Sequence, residues 1–251
     1  MNAAPGLWID LRESARAVMP KLPAAGRGSE LAAHARATWR GRMVNEHGSA
    51  RVFETLAQRL DAAGLEGGDV CRGFAEEERR HGVLCGAVLE ALGGEATFFE
   101  RPCDYPDHGV SPRLAVTLDV LSICCLSETV AVALVGAERL AMESGELRDL
   151  LESILADEIG HARFGWRFLA CILPTLTSEE RGIVEAYLPE ALEALEAHNL
   201  ANISPVASPS ADAPALGVCD GNDMRSLLYS TMREVIEPRL AELGLGLNSR
   251  S

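Results

Sequence analysis

Asp157-Glu158-Ile159-Gly160-His161-Ala162-Arg163 decides how the rest of this chain reads. Glu158 and His161 stand three residues apart, so a helix turn presents both to one side. The same Glu-x-x-His spacing occurs 80 residues earlier, in Glu78-Arg79-Arg80-His81. Both pairs interrupt an apolar seam at coiled-coil spacing. One seam runs Leu151, Ile154, Glu158, His161, Gly165, Phe168, Ile172, the other Cys71, Phe74, Glu78, His81, Cys85, Val88, Leu92. Two further seams each carry a single acid. They are Trp39, Met43, Glu46, Ala50, Phe53, Ala57, Leu60, and Leu121, Cys125, Glu128, Val132, Val135.

A buried, unpaired carboxylate costs several kcal/mol, and four at one depth cost far more unless positive charge compensates. Two divalent metal ions supply that charge. Glu from two helices plus Glu-x-x-His from two others is the ligand set of di-iron and di-manganese carboxylate bundles. The order supports the reading. Glu46 precedes Glu78 by 32 residues and Glu128 precedes Glu158 by 30, so the second half repeats the first. A single Glu-x-x-His match is weak. Two matches on seams, each with a Glu one hairpin upstream, are specific.

The surrounding chain is written for helices. Stretches rich in Ala, Leu, Glu and Arg predict core helices at about 30–62, 68–93, 112–143 and 146–173, then others at about 177–200 and 222–243 and a short one near 10–19. Strand signals are nearly absent. The short links 62–67 and 143–146 join antiparallel neighbours, and the long link 94–111 crosses the bundle. Residues 203–221, rich in Pro, Ser and Ala, read as a mobile linker, with Asn222 and Asp223 as candidate caps of the tail helix.

Composition narrows the function classes. Of 251 residues, 23 are Lys or Arg and 37 Asp or Glu, a net charge of −14 that disfavours nucleic acid and anionic membranes as partners. The seven cysteines form no C-x-x-C, which argues against zinc ribbons and thioredoxin-like pairs. Neither a secretory signal nor an uninterrupted apolar run of membrane-spanning length is evident, so a cytoplasmic protein with reduced thiols is expected.

The pattern resembles the ferritin-like superfamily of ferritins, rubrerythrins and di-iron oxygenases. Asn45-Glu46-His47-Gly48-Ser49-Ala50-Arg51 is similar to the ligand turn of a rubrerythrin first helix, and the two Glu-x-x-His stretches to the family's paired motifs. The likeness covers about residues 35–173. It implies an all-α, ferritin-like four-helix bundle with one long crossover, a core at about 30–173 and a C-terminal helical extension at about 177–243, within a single domain spanning 1–251. It also implies two iron ions per chain, with manganese or a mixed pair as variants, and reaction with dioxygen or peroxide. Carried over by motif, Glu46 and Glu128 are ligands from the lone-Glu helices, Glu78 and Glu158 bridge the two ions or nearly so, and His81 and His161 each bind one ion. Asp157, four before His161, and Glu77, four before His81, are candidates to orient the imidazoles.

Three functions follow. The first is a di-iron oxidase or oxygenase on a small organic substrate, with an electron donor of unknown kind and a homodimer as a candidate assembly. Its motive is the nearly 80 residues beyond the ligand core, which suit a substrate pocket or lid, and the small residues Ala50, Gly82, Gly86, Ala162 and Gly165, which suit either a cavity beside the metals or close helix packing. The second is ferroxidase, peroxidase or iron handling. The third is a non-enzymatic helical scaffold with a structural metal. No Tyr lies on a core helix, which argues against a tyrosyl-radical subunit.

Overall fold

The computed structural model describes residues 6–23, 29–100, 105–204 and 210–246. Four long helices dominate: α2 (Glu30–Ala62), α3 (Gly68–Ala91), α4 (Pro112–Ala141) and α5 (Glu146–Ile172). A short α1 (Arg12–Ala17) precedes them, and α6 (Ser178–Asn202) and α7 (221–242) follow. The helices start where side chains satisfy free backbone donors. Ser29 accepts from the Ala32 amide, Ser111 from Leu114 with Pro112 just inside the helix, and Thr177 forms a capping box with Glu180. The tail helix is capped by Asp220 rather than by Asn222 or Asp223. The amides of those two residues donate to the Asp220 carboxylate, which starts the helix two or three residues earlier than their own side chains would.

The helices pair as two hairpins, α2 with α3 and α4 with α5, joined by the long link. That link is less irregular than its Pro and Gly content suggests. Its start forms a strand, β2 (Thr97–Glu100), antiparallel to β1 (Leu7–Asp10), with Trp8 opposite Phe99. Four residues per strand are too few for a clear alternation signal, and the partner lies far away in sequence.

The seams form the core. Trp39, Met43, Phe53 and Leu60 of α2, Cys71, Cys85 and Val88 of α3, Leu121 and Cys125 of α4, and Leu151 and Ile154 of α5 are all buried. Among the described residues α4 is the one helix long and apolar enough, by length and composition, to cross a membrane. Here it is a bundle helix carrying buried Glu128 and Glu138, and its half-buried stretch 131–137 contributes to the wall of a cavity.

The extension docks on this core. Residues 205–209, part of the expected linker, lie outside the described residues. From residue 210 on the segment is packed: Ala213, Leu216 and Val218 are buried, and the Trp39 indole donates to the Leu216 carbonyl at 2.8 Å. Gly217 takes φ +74°, and a Cβ there would lie 2.5 Å from the Trp39 ring, so glycine is required twice over.

Candidate metal centre

At mid-bundle the four long helices bring Glu46, Glu78, His81, Glu128, Glu158 and His161 together. Their donor atoms fall into two sets. Glu46, Glu78, His81 and Glu158 form one, and Glu78, Glu128, Glu158 and His161 the other, with all atoms in a set within 4.8 Å of one another. Glu78 and Glu158 belong to both. His81 Nδ1 lies 3.3 Å from Glu158 and 3.7 Å from Glu46, and His161 Nδ1 lies 3.2 Å from Glu78 and 3.3 Å from Glu158. Such separations fit donors each about 2 Å from a shared ion.

The outer imidazole nitrogens show how the rings are aimed. His81 Nε2 lies 2.9 Å from the Asp157 carboxylate and His161 Nε2 lies 2.9 Å from Glu77. With Nε2–H donating outward, Nδ1 of each ring faces the centre, the nitrogen whose lone pair a metal ion would take once its proton leaves. The two acids expected to orient the rings do so, but exchanged. Asp157 serves the histidine of α3 and Glu77 that of α5. Each acid precedes its own seam glutamate by one residue, which turns it about 100° around its helix and toward the neighbouring helix. Asp157 is also clasped by Arg80, a residue that reads in sequence as a surface flank.

The clustered acids and imidazoles shift one another's titration. Burial raises the Glu46 carboxyl to about 8, with the Glu78 and Glu158 carboxylates adding to the rise and His81 opposing it. Glu128 is pushed well up, first by burial and then by Glu158. Burial also works against Glu158, yet bonds from Glu128, His161 and His81 hold it below the ordinary carboxylate range. For His81, burial disfavours charge, but Glu158, Glu46 and Glu78 push the imidazole up to about 12, and His161 is driven the same way by Glu128, Glu158 and Glu78. The fit to metals shows in the orphaned atoms: Glu78 Oε2, Glu158 Oε2, His81 Nδ1 and His161 Nδ1 are buried without a hydrogen-bond partner. A fully buried polar group without a partner costs about 1–3 kcal/mol, and here four converge on the same space.

Just before Glu128, α4 widens into π turns over Leu121–Ser127. Such segments recur at functional sites. Ser122 and Ser127 donate their hydroxyls to the Leu118 and Ser122 carbonyls within it. Gly165 of α5 is the matching concession, since a Cβ there would meet Cys124 Cβ at 2.5 Å. None of Ala50, Gly82, Gly86, Ala162 and Gly165 lines the cavity that reaches the centre, and Gly165 and Gly86 serve close approach.

A cavity of about 830 Å³ does reach the centre, from the side between α2 and α4. Glu46, Glu78, Glu128 and Glu158 line its inner end, Ala131, Leu134 and Val135 its α4 wall, and His198, Asn199 and Cys219 of the C-terminal extension help line it. It also contains an ion pair that sequence reading passed over. Arg42 Nη2 lies 2.5 Å from Glu138 Oε2, and Glu138 is 1% exposed. The signals were present: Arg42 sits one turn before Glu46, and Glu138 ends an otherwise apolar run. Other polar residues have structural partners. His34 meets Ser204, His47 meets Glu100, His108 meets Asp119, and Glu54 pairs with Arg79.

No protein-family model and no curated protein sequence matches the chain. Among solved structures it is similar to a Synechococcus protein described as having aldehyde deformylating oxidase activity, with a TM-score of 0.58 and 16% identity over 89% of this chain and 95% of the other. At that identity the likeness speaks to the fold, which is all-α and ferritin-like.

Proposed function

We propose, starting from a chain of ferritin-like fold, that it is a di-iron oxidase or oxygenase acting on a small organic substrate. The observation that carries this reading is the cavity. A storage or scaffolding site needs no chamber of about 830 Å³ opening onto all four seam glutamates. Glu46 and His81 would hold one ion, Glu128 and His161 the other, and Glu78 and Glu158 both. Two ferrous ions bound there would supply the electrons that reduce dioxygen, and manganese or a mixed pair suits the same donors. The chain does the rest. Asp157 and Glu77 keep a proton on each Nε2 and so keep Nδ1 directed inward. The apolar α4 wall orients a substrate stem toward the carboxylates and thins the water around them. Dioxygen or peroxide, an external electron donor and a cytoplasmic setting complete the reading, with a homodimer as its candidate assembly.

The test is anaerobic loading with ferrous iron, followed by oxygen-electrode measurements with and without candidate substrates. Straight-chain aldehydes come first, because the similar Synechococcus protein is described as acting on aldehydes. Two irons per chain and oxygen uptake accelerated by a substrate are expected. Iron oxidation at one rate whatever organic compound is added would replace this reading with ferroxidase.

A further inference from the structure

The two donor sets share Glu78 and Glu158 and match in residue type, yet the charges behind them differ. Behind His81 stands Asp157, 2.9 Å from Nε2. Arg80 clasps that same carboxylate, and its other terminal nitrogen, Nη1, donates to the Ser153 hydroxyl at 3.2 Å. Arg80 adjoins His81 on α3, while Asp157 and Ser153 lie one turn apart on α5, so the pairing of the two helices builds the clasp. A guanidinium stays charged throughout the working pH range, so the acid behind His81 is offset by a permanent cation. Behind His161 stands Glu77, 2.9 Å from Nε2. Among the described residues no Arg or Lys comes within 4 Å of that carboxylate. Arg79, its neighbour but one along α3, is engaged with Glu54 and Glu76 instead. Exposure differs in the same sense, since the Glu46 side chain is 16% exposed and the Glu128 side chain 8%.

A carboxylate behind a ligating imidazole strengthens it as a donor, and its charge also attracts the cation through the ring. Glu77 exerts both effects in full. Asp157 exerts them against Arg80. We propose that the two ion positions are therefore unequal: the position of Glu128 and His161 fills first and holds its ion more tightly, and Arg80, acting through Asp157, weakens the position of Glu46 and His81. This deepens the reading of the cluster as a two-ion centre and rests on it. The ion beside Glu46 is then the one that enters last and leaves first.

The probe is manganous ion alone, added to the full-length chain stripped of metal, with unbound ion read by its sharp electron paramagnetic resonance signal. Glu46→Gln leaves the His161 position complete and Glu128→Gln leaves the His81 position complete. Each variant reports one affinity free of repulsion from a second ion. Glu46→Gln is expected to bind about tenfold tighter than Glu128→Gln. Adding Glu77→Gln to Glu46→Gln should weaken binding about tenfold. Adding Arg80→Gln to Glu128→Gln should tighten it, because Asp157 then stands uncompensated, whereas Arg80→Lys keeps the charge and should not. If Arg80 merely held Asp157 in place, Arg80→Gln would weaken binding instead, and that result overturns the proposal. So do equal affinities in Glu46→Gln and Glu128→Gln. If Glu128→Gln does not fold by circular dichroism, Glu77→Gln alone must weaken the first of two binding steps and spare the second; the reverse overturns the assignment. A chain that binds no manganese at all removes the two-ion reading itself, while two ions held alike remove only the inequality.

Discussion

Glu78 and Glu158 differ from Glu46 and Glu128 in belonging to both donor sets, and that difference has a measurable consequence. Glu78→Gln or Glu158→Gln should lower bound metal from two ions per chain toward none. Glu46→Gln or Glu128→Gln should leave about one, because the other donor set stays complete. Metal analysis of each purified variant checks this, and equal losses in all four would contradict shared ligation. The same residues set the pH dependence. In the metal-free protein His81 is pushed up to about 12 and Glu46 to about 8, so at neutral pH both hold protons that an incoming ion must displace. Metal affinity should therefore rise with pH from acid through neutrality, and adding manganese to unbuffered protein should acidify the solution. A potentiometric trace with no proton release would contradict it. The convergence of the six side chains was legible because residue type and seam position coincide. The exchange of Asp157 and Glu77 between histidines was not, because it depends on how α3 and α5 face each other.

α5 closely approaches the π turns of α4. Gly165 faces the Cys124 Cβ and backbone there, so Gly165→Ala should cost about 1–3 kcal/mol through overpacking and lower the melting temperature. An unchanged thermal transition would mean that the contact relaxes freely. Helix extents followed closely from composition and spacing, since capping residues and apolar periodicity act locally. The π turns gave no such signal. A widened turn has no composition of its own. The β1–β2 pair was missed for a similar reason, as its pairing joins segments about 90 residues apart.

At the scale of the whole molecule, burial governs the cysteines. Cys71, Cys85, Cys124 and Cys125 are buried, and burial pushes each thiol upward, so thiolate is scarce. Cys171 is exposed. Alkylation of the native protein followed by peptide mapping should label Cys171 readily and these four only on unfolding. Labelling of Cys124 at the rate of Cys171 would show that the bundle opens around α4. The sequence by itself determined the helical class, the two-hairpin order and the six seam residues whose side chains converge at mid-bundle. The first two follow from local periodicity, capping and link length, and the third from charge that recurs on an apolar seam and must meet at one depth. The chamber, its Arg42–Glu138 pair and the docking of Leu216 on Trp39 were decided only in three dimensions. Arg42 and Glu138 are 96 residues apart and Trp39 and Leu216 are 177 apart. No periodicity within a helix encodes which side chain of a distant helix will stand opposite, because that depends on how the packed helices are rotated and spaced.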